Sequence, residues 1–252
     1  MTPDLKTPHT PTPHTMTPGT PTSSTMTPST LTPHIPHTPT SSTATPNGPT
    51  SDSPPHPTLT STLPTSNALA GGFTDPARQS ARAFRAALAA LSQPGRIETL
   101  TGAQPPAPLS VAAGTLLLVL ADTTTGLYLV PTHDLKPVRD WIIFHTGAGF
   151  VTAERATLAL GSWDDLQPIN RFAIGLPDYP DRSATLIVEM PGLHPQGARL
   201  TGPGIASQSH LSLPDIAAFQ RNRLLFPLGL DFFFTADDRV AGLPRTTKVE
   251  AH

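Results

Sequence analysis

The first 67 residues offer almost nothing that a fold could bury. They are built from Thr, Pro, Ser and His, and their only charged side chains are Asp4, Lys6 and Asp52. No apolar period of 3.6 or of 2 runs through them. Such a stretch cannot offset the entropy of ordering its own backbone, so residues 1–67 are expected to form a disordered tail with short polyproline-like pieces. Whatever folds must come from residues 68–252, a length that suits a single domain. The tail histidines His9, His14, His34, His37 and His56 are irregularly spaced and make a poor metal site.

The remaining totals exclude several classes. The formal net charge is −2, and acids and bases are mixed through the folded part. No basic patch points to nucleic acid or to an anionic membrane surface. The longest apolar run, Gly114 to Ala121, is too short to span a bilayer. No basic start followed by an apolar core marks a secretory signal, which leaves the cytoplasm as the expected location. The chain has no cysteine, so it can supply neither a disulfide, nor a thiol nucleophile, nor ligands for an iron–sulfur cluster.

Asp75-Pro76 is a helix start, an N-cap residue followed by proline at the first helical position. Ala77, Ala81, Phe84, Leu88 and Leu91 then share one face, and Pro94-Gly95 stops the helix. Arg96 to Leu100 reads as a short strand. Ala112 to Leu120 is apolar nearly all round and fits a buried helix or a central strand. Further strands are expected at 127–130, 156–160, 184–189, 198–201 and 230–235. The last should turn through Asp237-Asp238-Arg239 into Val240 to Leu243. Helices are expected at 137–144, with Val138, Trp141, Ile142 and Phe144 inward, and at 214–225. A short helix or irregular piece is expected at 164–172. This alternation predicts an α/β fold, a three-layer sandwich, and the closing hairpin predicts a mixed sheet.

Chemical motifs are sparse. The only lysines are Lys6, Lys136 and Lys248, and none follows a glycine-rich loop, so there is no P-loop. Lys136 and Lys248 are the sole candidates for a pyridoxal-phosphate Schiff base in the folded part, and neither lies in a convincing motif. His133, His145, His194 and His210 show no ligand spacing. There is no Gly-x-Ser-x-Gly elbow.

Two alternatives stay open at each remaining motif. Gly202 and Gly204, at the end of a strand, either aim backbone N–H groups at an anion or form a tight turn. Asp231 either meets a partner's cation or caps a backbone turn. Arg245, with Thr246 and Thr247, either binds a phosphate or pairs with Asp231 or Glu250. His145 either sits favourably at a helix C-terminus or acts as an acid or base. The candidate anion-binding set is therefore Gly202, Gly204, Arg245 and Thr246, with no catalytic and no metal residue assigned.

Several pieces, taken in order, resemble the PhnH family. They are Phe84-Arg85 with Leu91-Ser92-Gln93-Pro94-Gly95, Leu120-Ala121-Asp122, Phe144-His145-Thr146 and Leu200-Thr201-Gly202-Pro203-Gly204-Ile205. Phe226-Pro227-Leu228-Gly229-Leu230-Asp231, Pro244-Arg245-Thr246-Thr247 and Val249-Glu250 complete the set. The tail lies outside the resemblance. The family is a subunit of the bacterial carbon–phosphorus lyase machinery. The resemblance implies a fold similar to the pyridoxal-phosphate-dependent transferases but without the cofactor, and a homodimer when isolated. It implies partners PhnG, PhnI and PhnJ, a functional link to PhnL, and a part in making α-D-ribose 1-methylphosphonate 5-triphosphate from ATP and methylphosphonate. Radical carbon–phosphorus cleavage belongs to PhnJ. The alternative is a stand-alone enzyme that binds a nucleotide or phosphonate at Gly202, Gly204 and Arg245.

Overall fold

The computed structural model describes residues 69–251, so the tail expected over residues 1–67 lies outside the described residues. A seven-stranded mixed sheet forms the centre. Its strands are β1 (Ile97–Thr99), β2 (Gly126–Leu129), β3 (Gly149–Phe150), β4 (Leu158–Ser162), β7 (Thr185–Glu189), β10 (Asp231–Ala236) and β11 (Arg239–Leu243). Their spatial order is β1-β11-β10-β7-β4-β2-β3. The pairs from β10 to β3 are parallel, while β1 and β11 add an antiparallel edge.

The strands are apolar on both faces because both are covered. Register aligns Ala159, Leu186 and Phe232 in one row and Leu160, Ile187 and Phe233 in the next. The second row faces α1 (Pro76–Ser92), α2 (Val111–Leu120) and α3 (Lys136–Thr146). The first row faces α4 (Trp163–Leu166), α5 (Ile216–Leu224) and a small sheet of β8 (Ala198–Thr201), β9 (Ser209–Leu211) and β12 (Lys248–Glu250). The small sheet was not anticipated as a separate layer; the sequence revealed β8 but not β9 or β12. Phe219 of α5 is the hub of this side, with its ring centroid 5.0 Å from Phe232, 4.9 Å from Trp163 and 5.6 Å from Phe234. A third sheet is the antiparallel pair β5 (Ile174–Leu176) and β6 (Tyr179–Ser183).

The helix starts behave as their sequences dictate. Asp75 accepts from the Arg78 amide, Ser110 from Ala113 and Asp215 from Ala218, each as an N-cap. Gly147 ends α3 in the left-handed region at φ 70°. Residues 112–120, open between helix and strand, are helical.

The buried face of α1 corrects the sequence expectation. Ala83, Ala87 and Ala90 face the core, while Phe84 and Leu88 are about half exposed, at 50% and 55%. The reason is close approach: a Cβ on Gly242 of β11 would lie 2.7 Å from the backbone of Ala90 and Leu91. Only a small-residue face lets a helix sit that near the sheet. On α3, Val138, Trp141 and Ile142 are buried as expected, but Phe144 is 61% exposed. Trp141 also donates from Nε1 to the Ala70 carbonyl, fixing the strand of chain that precedes α1.

These contacts set two expectations for stability. Phe219→Ala should lower unfolding free energy by about 3–5 kcal/mol, as buried aromatic truncations do. Phe84→Ala should change it by less than about 1 kcal/mol, as an exposed position does. Urea titration of both variants checks the assignment of α1's buried face.

Candidate functional site

The chain passes from β2 outward to β3 and then back across β2 to β4. Successive strands thus leave β2 in opposite directions, and in open α/β sheets the crevice at the carboxyl ends of such strands is where ligands bind. The polar residues gathered on this edge are Thr132 and His133 after β2, Ser162 and Asp165 at the end of β4, Glu189 closing β7 and Thr235 near the end of β10.

Two linked groups emerge. In the first, Asp165 Oδ2 accepts from Thr132 Oγ1 at 2.7 Å and from Ser162 Oγ at 2.9 Å. Thr132 Oγ1 also lies 3.0 Å from His133 Nδ1. The threonine has one hydroxyl proton, so while it donates to Asp165 it must accept from Nδ1–H, which leaves Nε2 as the basic nitrogen. The hydroxyls hold the Asp165 carboxyl below its usual pKa, Thr132 contributing most. Burial lowers the pKa of His133, which is only 7% exposed, against the opposing charge of Asp165. This is a chain of groups able to hold a neutral imidazole in one tautomer.

In the second group, Glu189 is tucked beneath the start of α2. Its Oε1 accepts from the Ser110 amide at 2.8 Å and its Oε2 from Thr235 Oγ1 at 2.9 Å. Burial raises the Glu189 pKa; the hydrogen bonds from Ser110 and Thr235 oppose this and the charge of Asp237 adds to it.

Sequence reasoning passed over both groups. A serine followed three residues later by an aspartate just after a strand (Ser162 and Asp165) is a legible capping signal. An acid closing an apolar strand, as Glu189 does, is another cue. The pairing of Thr132 with Asp165 joins residues far apart in the chain and carries no local signal.

The four residues singled out as an anion set fall together only in part. A Cβ on Gly202 would lie 3.3 Å from the Thr246 carbonyl, so these two are neighbours where β12 meets β8. Gly204 leans instead on the end of α1, where a Cβ would sit 1.8 Å from the Ser92 carbonyl oxygen. Both glycines have positive φ, 130° and 80°, and the Ile205 amide closes a turn on the Gly202 carbonyl. Arg245 turns away to Asp231: Nη2 meets Oδ2 at 2.5 Å and Nε meets Oδ1 at 3.2 Å, while the Arg245 amide donates to Oδ1 at 2.8 Å. Nη1 donates to the Pro180 carbonyl at 2.9 Å, and Nη2 also meets Ser183 Oγ. Of the alternatives weighed for Asp231 and Arg245, the structure displays the mutual pair and the backbone cap. His145 lies in the last turn of α3, packed against Trp141 and Phe144 with ring centroids 4.9 Å away in each case.

A sequence profile described as "Bacterial phosphonate metabolism protein (PhnH)" matches residues 71–250. The chain belongs to the PhnH family. It is similar to the α-D-ribose 1-methylphosphonate 5-triphosphate synthase subunit PhnH of Rhizobium meliloti (strain 1021), at 38% identity over 195 residues, covering 73% of this chain and 97% of that protein. It is also similar to the putative C-P lyase subunit protein HtxG of Stutzerimonas stutzeri, at 29% identity over 174 residues, covering 66% of this chain and 84% of the relative. The match spans the central sheet, both covering layers and all of the polar crest described above.

Two variants test these assignments. Arg245→Ala leaves Asp231 half-buried without its cation and should destabilise the fold by about 2–4 kcal/mol, measured by chemical denaturation. Glu189 gives a pH signature. Its folded-state pKa is raised, so the folded chain retains a proton that the unfolded chain releases. Stability should therefore fall as pH climbs from the ordinary glutamate value of about 4.3 through the raised value. Glu189→Gln removes that slope. It should equal or exceed the parent in melting temperature above that window, with the difference growing as pH rises through the raised value and level beyond it.

Proposed function

We propose that this chain is a subunit of an α-D-ribose 1-methylphosphonate 5-triphosphate synthase in organic phosphonate catabolism, non-catalytic by itself. The observation that carries the reading is the family match over residues 71–250, together with alignment to 97% of a relative so named. Within the proposal, residues 1–67 form a tail and residues 68–252 form the family domain. The mixed sheet covered on both faces fits the expected likeness to the pyridoxal-phosphate-dependent transferases, here without the cofactor.

The partners in this reading are the PhnG, PhnI and PhnJ subunits, with a functional link to PhnL, and the isolated chain forms a homodimer in the cytoplasm. Exposed apolar side chains support a role in assembly. Phe84 and Leu88 on α1, Ile143 and Phe144 on α3, and Leu224 to Phe226 at the end of α5 are each at least 44% exposed.

Co-expression with PhnG, PhnI and PhnJ tests the assembly directly. Both the full-length chain and one that starts near Ala68 should co-purify with the other three. Failure of both forms to enter the complex would remove the subunit reading. Entry of the full-length chain alone would remove the division at residue 67.

A further inference from the structure

A groove of about 730 Å³ opens beside the edge strand β3, and three arginines from separate elements line it. Arg139 comes from α3, Arg155 from the 3₁₀ turn after β3 and Arg171 from the 3₁₀ turn after α4. Glu154 is the one acid among the lining residues, against three guanidinium groups. The volume lies within the range of small-molecule sites.

The arginines are held in place but not saturated. The Arg139 guanidinium lies 4.0 Å over the Phe150 ring and spends one nitrogen on Asp134 at 2.6 Å. Arg171 lies 5.1 Å from the Tyr128 ring centroid and donates Nη2 to the Asp165 carbonyl at 3.0 Å. Its Nε is buried, and no acceptor reaches it among the described residues. Arg155 is exposed and has no partner for its guanidinium among the described residues. Each guanidinium carries five N–H donors in a fixed fork, so most of the donors in this groove are open. Stacking on aromatic rings limits the side-chain freedom lost when a ligand arrives.

We propose that this groove is a binding site for a low-molecular-weight phosphate-type oxyanion, one carrying at least two negative charges. A single carboxylate is satisfied by one guanidinium fork, whereas three arginines lining one groove suit a group with several charged oxygens. The inference stands on the groove alone. It holds whether or not the chain enters a multi-subunit complex, so its failure and that of the subunit reading are separate results.

The test is calorimetric titration of the full-length chain with sodium tripolyphosphate near pH 8; Lys6 is the only lysine or arginine before residue 68. Saturable binding with one site per chain is expected, weakening with salt. Arg155→Gln, at an exposed position, should weaken it roughly tenfold with unchanged melting temperature. Glu154→Gln should tighten it a few-fold, because it removes the opposing charge. Arg182→Gln, which alters an arginine stacked on Tyr179 away from the groove, should leave it unchanged. Absence of saturable binding, equal loss in Arg182→Gln, or indifference to Arg155→Gln would each overturn the site. So would displacement of tripolyphosphate by a short oligothymidylate lacking terminal phosphates, at equal phosphate concentration, since that assigns the groove to a nucleic-acid backbone.

Discussion

The register of β10 is the constraint on which the rest of the molecule depends. Its Phe232, Phe233 and Phe234 are buried on alternating faces of the sheet, so its own pattern does not forbid a one-residue slip. Polar contacts at its two ends do. At the start, Asp231 is clamped by the guanidinium and amide of Arg245. At the other end, Thr235 donates to Glu189, its register partner on β7. A slip would separate both pairs and leave Asp231 and Arg245 half-buried without each other, a penalty of about 3–5 kcal/mol. The same contacts tie β10 to the chain after β11 and to the start of α2, and so fix how the edge hairpin and the helical layer meet the sheet.

This arrangement explains why residues that look reactive in the sequence do structural work. Arg245 has the form of a phosphate ligand, yet its donors are engaged by Asp231, Ser183 and the Pro180 carbonyl. Asn222 likewise uses both halves of its amide on Leu230, accepting from its N–H and donating to its C=O, and so substitutes for a strand neighbour. Groups with unspent capacity lie elsewhere, along the carboxyl ends of β2 and β4 and in the arginine groove beside β3.

Much of the architecture was legible from residue pattern. The cap at Asp75, the helix expected at 214–225 and the apolar runs of β7 and β10 lie close to where the sequence puts them. What escaped were elements whose residues look unremarkable one by one. The strand β6 contains Pro180, Asp181 and Arg182, and β12 contains only three residues. The buried face of α1 was misjudged because periodicity marks the large apolar residues, whereas the glycine opposite at Gly242 demands the alanines. The polar crest was invisible for a related reason: Thr132 with Asp165, and Ser110 with Glu189, become neighbours only once the strands have been ordered.

The chain belongs to the PhnH family, and its exposed apolar side chains fit the proposed role in an assembly. The central claim is that this chain supports formation of a ribose phosphonate triphosphate without performing the chemistry alone. Phosphorus NMR of the purified chain, incubated with ATP and methylphosphonate, tests that claim most directly. The account predicts unchanged methylphosphonate and ATP spectra for the chain alone, and product resonances when PhnG, PhnI and PhnL are added. Product from the solitary polypeptide would contradict it.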